Sequence, residues 1–532
     1  MKTLYSDQIK KRTPAEKRRS WFLLLLFVMA LLIRIPGINS HPTSFHATRQ
    51  YQSALLARSF YLNTDDHKDD IARIPSVMFQ RYREQIDPRI NEKITYQMYR
   101  MLGKEDMLIP RLLSVFYWLI GGIIIYKIAL LLFGWMGAFI TVTLYLFFPF
   151  GINISQSIQP ESLLNMFFLW SLLQIIKHFR SDKGDYFYSA AILSGFAVLI
   201  NVTIIFPILG ILLFMGKNKY GLKKYLFNWR TVWFFTVCLS IGTSFYIYNI
   251  FWNEAMQGSL ATVFSPEMLL TSFFWVSWLT QIGKVTGVIP FLIALILLLV
   301  IKNWDVKFPL AGLLLGYISY AFIFTYPAAT NDYYQIALFP IVALILGYAG
   351  TFINKGERVK YVAVFFLLAA GVLFSLWHQY TFIKSDHEIR MYSPAWFLVG
   401  EQGSYFYNNT SEGNIWGNSF EAGELIGHGI NNILLSRSYG NAVMYYGKLF
   451  GKPWPTEEDF DFRRLKGRDI PSPEQLYLSI YAKDNPRYFI VTDLRSWDHQ
   501  PELRKFLNEN FKLLEKKEGF IIYNLRTNRK QQ

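Results

Sequence analysis

The chain has 532 residues, 52% hydrophobic and 18% aromatic, with a formal net charge of +16; its apolar residues come in long blocks, which is membrane composition rather than that of one soluble core. The basic residues are scattered between those blocks, so the clustered stripe needed to track a nucleic-acid backbone is missing and nucleic-acid binding is excluded. The only cysteine, Cys238, lies inside an apolar block and rules out an intrachain disulfide or a thiolate metal cluster.

Residues 1–20 form a basic tail carrying Lys2, Lys10, Lys11, Arg12, Lys17, Arg18 and Arg19, which the positive-inside rule assigns to the cytoplasm. Apolar blocks near 21–38, 110–132, 134–152, 161–177, 231–251, 285–301, 308–326, 335–353 and 360–378 match the length of a spanning helix. Arg34-Ile-Pro follows the first block in place of a small-residue cleavage site, so that block is expected to remain as an anchor. The stretch 187–216 holds Asn201 and Pro207 and has Lys177, Arg180 and Lys183 before it and Lys217, Lys219, Lys223, Lys224 and Arg230 after it. Both flanks are therefore cytoplasmic, and the stretch is expected to go out and return as two short helices. The expectation is an α-helical polytopic membrane module over 21–378 with eleven crossings, N-terminus inside and C-terminus outside.

The first outer loop, 39–109, is far longer than a connection needs, and its apolar content argues for order. Within it, 49–62 is spaced as an amphipathic helix lying at the membrane interface. Residues 379–532 read as an extracytoplasmic α/β domain, with strands at 433–437, 488–494 and 519–525 and a helix over 502–516.

Four polar clusters stand at the outer ends of the expected spans, where ionisable groups near hydrocarbon mark substrate paths. They are 46–58 with His46, Arg49, Gln50, Gln52 and Arg58; 86–103 with Asp87 and Glu92, leading to Arg111; 155–165 with Gln159 and Glu161; and 331–340 with Asp332, Tyr333 and Tyr334. Carboxylates, guanidinium groups and aromatics converging on one face suit a phosphate headgroup and a sugar together. The acidic run 64–70 reads as a solvated loop.

In this order the clusters resemble the GT-C glycosyltransferase superfamily, particularly the branch of the protein mannosyltransferases and the lipid A aminoarabinose transferase. The matching elements are Thr48-Arg49-Gln50, Asp87-Pro88, Arg111-Leu-Leu-Ser114, Gln159-Pro160-Glu161 and Asp332-Tyr333-Tyr334. The chain departs from that pattern at Gln52, where the family carries an aspartate, at Asn201 in place of a lysine, and at Asn331 in place of a histidine.

The resemblance implies a polyprenyl-phosphate sugar as donor and an acceptor hydroxyl or amine on a polysaccharide, lipid or protein, with inversion at the anomeric carbon. Asp87 is the leading base, with Glu92 and His46 as alternatives; Arg49, Arg58 and Arg111, backed by Lys284, are the candidates for the departing phosphate. Gln50, Gln52, Gln159, Glu161, Asp332, Tyr333 and Tyr334 complete the expected substrate-binding set. Arginines alone stabilise a monophosphate leaving group, so no cofactor is required and a divalent metal is not indicated. A bacterial inner membrane is the expected location. The rival readings are a polytopic transporter or lipid flippase, which calls for charges near the bilayer midplane, and an inactive polyprenyl-lipid-binding scaffold.

Overall fold

The structure, a computed structural model, describes residues 13–36, 38–42, 45–67, 70–83, 88–251, 264–353, 359, 362, 415–465 and 469–528. Asp87 and the span expected at 360–378 lie outside the described residues.

The first helix, α1 (Pro14–Ile33), opens on a capping box in which Thr13 and Glu16 each satisfy the other's backbone N–H. Leu24, Leu25, Val28, Leu31 and Leu32 remain exposed along it, as a lipid-facing side would be, while Leu26, Ala30 and Ile33 are buried. Arg34 ends the helix fully buried, with Nε donating to Ser155 Oγ and its terminal nitrogens to the carbonyls of Ala30 and Leu146. The first loop then supplies α2 (Ala47–Leu62), α3 (Arg73–Tyr82) and α4 (Ile90–Leu102).

One helix in hydrogen-bond pattern, α5 (Leu108–Phe147), is broken at Gly134, whose φ of 78° suits a residue without Cβ. Trp118 and Tyr145, 27 residues apart, stack at 4.6 Å. A straight helix would separate them by about 40 Å, so α5 is a hairpin folded at Gly134. There follow α6 (Pro149–Ser155), α7 (Glu161–Ser181), α8 (Gly184–Ile200) and α9 (Ile205–Tyr220). The interruption between α8 and α9 falls at Asn201, whose side chain accepts from the backbone N–H of Thr203 and so starts the next turn.

The rest of the apolar module is α10 (Trp229–Phe251), α11 (Ser272–Thr286), α12 (Val288–Val300), α13 (Trp304–Ile323) and α14 (Leu338–Gly347). α9 packs closely on α13 because glycines face glycines: a Cβ on Gly210 would lie 1.9 Å from the carbonyl oxygen of Gly312. Among the described residues, five helices are long and apolar enough to cross a membrane, or six when α11 and α12, bent by 90° at Gly287, are taken as one broken span. Eleven crossings are therefore not reached by length and composition, in part because the folded α5 counts once and α8 and α14 are short. The chain is an integral membrane protein of mainly helical build.

The C-terminal part, α15 (Ile415–Ile426), β1 (Asn432–Leu435), α16 (Asn441–Tyr446), β2 (Gly451–Pro453), β3 (Tyr488–Val491), α17 (Pro501–Asn510), β4 (Phe511–Lys516) and β5 (Ile521–Asn528), forms a five-stranded sheet of order β2-β1-β3-β5-β4. β1, β2 and β3 are parallel, and β5 returns antiparallel to β3 and β4. One sheet face buries Leu434 and Ile490 against Tyr51, Ala54 and Leu55 of α2; the other buries Leu435, Phe489 and Val491 under Trp454, Leu503 and Leu507.

Two expectations are corrected. The helix expected over 502–516 ends at Asn510, and 511–516 is an edge strand, because Phe511 turns into the core while Lys512, Leu513 and Leu514 face solvent. Nor does α2 lie open at an interface: eleven of its residues are buried, because the sheet domain covers one side and α3 and α4 the other.

Candidate functional site

The site is assembled at the end of the helical module that carries the first loop and the sheet domain. Both loop helices that reach it start on residues in the left-handed region, His46 (φ 56°) before α2 and Arg89 (φ 54°) before α4. Non-glycine residues held there store strain, and such positions gather at functional sites. The rigid backing comes from the start of α7, the end of α8 and the turn at 332–335.

Between these elements lies a small open cleft lined by Arg49, Gln52, Ser53, Leu56, Arg83, Pro88, Arg89, Ile90, Asn91, Glu92, Pro160 and Ile200. Three guanidinium groups and one buried carboxylate therefore face one space. Ser53 donates to Glu92 Oε1 at 2.6 Å, leaving the carboxylate oriented. Arg83 donates to Gln52 Oε1 (3.1 Å), and Arg89 donates to the backbone carbonyl of Arg83 (3.0 Å). The position that departs from the family pattern, Gln52, thus holds an arginine in the cleft.

Arg49 joins this cleft to a second polar set. Its Nη1 donates to Glu161 Oε1 at 2.5 Å and to Gln159 Oε1 at 3.4 Å, and its guanidinium carbon sits 3.9 Å from the Tyr333 ring centroid. Glu161 is buried, and its Oε2 has no hydrogen-bond partner among the described residues. His46 meets Asp332 through Nε2 and Oδ1 at 2.5 Å and packs its ring edge-on to Tyr333. Burial would raise the Asp332 pKa, but the charge and hydrogen bond of His46, then Lys284, outweigh it and hold the carboxyl below its ordinary value. Gln50 bridges the backbone, donating to Phe45 O and accepting from Ile158 N–H.

The structure thus brings all four sequence clusters together: His46 with Asp332, Arg49 with Glu161 and Tyr333, Ser53 with Glu92. Three residues of the expected phosphate set, Arg58, Arg111 and Lys284, stand apart from the cleft lining. Arg58 binds Glu105 and the carbonyl of Tyr445, and Arg111 donates to the carbonyls of Ile38 and Ser40. Each of these guanidiniums holds chain segments together. Sequence reasoning passed over Arg83, Arg89, Ser53 and Asn91. For Arg83 and Arg89 the signal was their position on either side of Asp87-Pro88 in the sequence.

Chemically, the cleft offers cations for a phosphate and a carboxylate for a proton, and the polar set joined to it through Arg49 adds the carboxylates of Glu161 and Asp332 as hydrogen-bond acceptors. Residues 95–241 match the family described as dolichyl-phosphate-mannose-protein mannosyltransferase. The structure resembles that of ArnT from Cupriavidus metallidurans in the apo state, with a TM-score of 0.57 and 12% identity over 95% of this chain and 98% of that one. It also resembles the same protein bound to undecaprenyl phosphate, with a TM-score of 0.50 and 13% identity over the same shares. At such identity the likeness is one of fold. None of the curated proteins matches the chain in sequence. The chain is thus similar in fold to ArnT, and over residues 95–241 it is similar in sequence to the dolichyl-phosphate-mannose-protein mannosyltransferase family.

Proposed function

We propose that the chain is an inverting glycosyltransferase that moves a sugar from a polyprenyl-phosphate donor to an acceptor on the outer face of a bacterial inner membrane. The observation that carries this reading is the cleft itself, in which Arg49, Arg83 and Arg89 face Glu92 across one space. Undecaprenyl phosphate, the ligand of the ArnT structure, has the chemistry such a cleft would take. The acceptor oxygen or nitrogen attacks the anomeric carbon as the bond to the phosphate oxygen breaks. The acceptor proton goes to a carboxylate, and the lipid phosphate departs with its added negative charge on the guanidinium groups. In this scheme no metal takes part in the transfer.

Two carboxylates compete for the role of base. Asp87 adjoins Pro88 in sequence, and Glu92 lines the cleft with one oxygen held by Ser53. Glu161 Oε2 and Asp332 receive sugar hydroxyls, with Lys284 supporting Asp332.

The test is turnover of radiolabelled polyprenyl-phosphate sugars by the purified protein, read as sugar released to water or acceptor. Asp87→Asn and Glu92→Gln are compared side by side: the base variant loses activity by about 100-fold or more while the other keeps most of it. Arg83→Ala and Arg89→Ala each lower kcat by about 100-fold. Absence of turnover with every donor, despite tight binding of polyprenyl phosphate, would replace the enzyme reading with that of a lipid-binding scaffold.

A further inference from the structure

Helix α2 faces two ways. Arg49, Gln52, Ser53 and Leu56 line the cleft, whereas Tyr51, Ala54 and Leu55 enter the core shared with Leu434, Ala442, Val443, Tyr445 and Ile490 of the sheet domain. The domain grips the helix along its length. Near the start, Asn441 donates to the carbonyl of Thr48 at 3.4 Å; in the middle, Tyr51 and Tyr446 bring their hydroxyls to 3.5 Å.

The strongest hold is near the end. Arg58 Nε lies 2.8 and 2.9 Å from the two oxygens of Glu105, its Nη1 donates to the carbonyl of Tyr445 at 2.6 Å, and its guanidinium carbon sits 3.5 Å from the Tyr445 ring centroid. Tyr445 closes the set by donating its hydroxyl to Glu105 Oε1 at 2.6 Å. One cation, one anion and one phenol from three parts of the chain thus form a ring, with the Arg58 side chain 7% and the Glu105 side chain 18% exposed. Removing either charge leaves the other buried without compensation.

We propose that Arg58, Glu105 and Tyr445 are positioning residues: by tying α2 to the C-terminal domain they hold Arg49, Gln52 and Ser53 in register with the cleft, which makes that domain a working part of the site. Among the described residues, the hydrogen bonds of the ring reach no residue of the cleft lining. Its effect is therefore transmitted by the placement of one helix, and misplacement by about 1 Å is enough to cost about 100-fold in rate. The geometric claim stands apart from the reaction; only the kinetic arm of its test rests on the proposed glycosyl transfer.

The test needs no assumption about the substrate in its first arm. Cys238 is the only cysteine and is buried, so a Cys238→Ser background gives a chain with none. Ser53→Cys placed in that background puts a buried thiol on the cleft face of α2, and maleimide labelling then reads how firmly the helix is held. Arg58→Gln raises the labelling rate by about tenfold, and Tyr445→Phe, which deletes one hydroxyl, raises it by a smaller factor. In the second arm, on chains with Ser53 intact, Arg58→Gln and Tyr445→Phe lower kcat while donor KM stays within about twofold, and Arg58→Lys recovers part of the loss. Unchanged labelling in both variants overturns the proposal. A rise in donor KM with kcat preserved also overturns it, since Arg58 would then be a direct ligand of the donor phosphate. If Arg58→Gln fails to fold, the milder Tyr445→Phe decides; if the chain turns over no donor, the labelling arm still decides.

Discussion

His41 and Asp332 are single side chains that carry a pH dependence that can be measured. His41 stacks on Trp416 at 4.2 Å and meets the hydroxyl of Tyr446 through Nδ1 at 2.5 Å. Burial, followed by the charge of Arg111, pushes its pKa below the ordinary 6.5. The folded state therefore favours neutral His41, whose Nδ1 accepts from the phenol; stability is full above pH 6.5 and falls as pH drops through that value toward the folded pKa. Melting curves of the intact protein between pH 7.5 and 5 should show this loss, and His41→Phe should flatten it; those two pH limits are roughly one unit either side of the histidine range. Asp332 behaves with the opposite chemistry and the same slope: held below 3.8, it stabilises the fold above that pH, and the contribution is lost as pH falls below it. His46→Ala removes the partner that outweighs burial, so the acid limb of the unfolding curve moves to higher pH.

Among the elements, the α9–α13 contact makes the sharpest structural prediction. Gly312 and Gly316 sit four residues apart on α13, and a Cβ on either would come within 2.4 Å of a carbonyl oxygen of α9. Gly312→Leu should separate the helices and cost at least about 1–3 kcal/mol, read as a lower melting temperature of the detergent-solubilised protein. A control at Gly184, where an added Cβ meets only the Tyr188 ring at ordinary distance, should change little. The same elements show what could be read in advance. The capping box at Thr13 and Glu16, the interruption at Asn201 and the β1 and β3 strands announce themselves locally, in caps, turn residues and apolar runs. The bend at Gly287 and the fold-back at Gly134 do not, because a glycine with positive φ looks in sequence like any glycine inside an apolar block. For the site, the residue types and their clusters were legible, since polar groups at span ends stand out against hydrocarbon. Which arginine faces the cleft was not: Arg58 and Arg83 differ only in the partners that the fold brings to them from Glu105, Tyr445 and Gln52.

At the scale of the whole molecule, the distribution of basic residues between apolar blocks is the basis of the proposed orientation. In the orientation that the positive-inside rule proposes, with the basic tail inside, the first loop and the sheet domain would lie outside. A reporter fused after Gln532 should be active only outside the cytoplasm, and a cytoplasmic signal would reverse the proposed sidedness. The packing of α2 between cleft and sheet carries a consequence for how the protein comes into being. Arg49 and His46 are made early, their partners Glu161 and Asp332 later, and the Tyr445 that braces the helix later still. During synthesis, which takes on the order of tens of seconds for a chain of this length, the nascent polypeptide carries every residue that lines the cleft before the brace of α2 has been made. A ribosome stalled anywhere before the sheet domain would leave in the membrane a chain whose α2 has no brace from Tyr445.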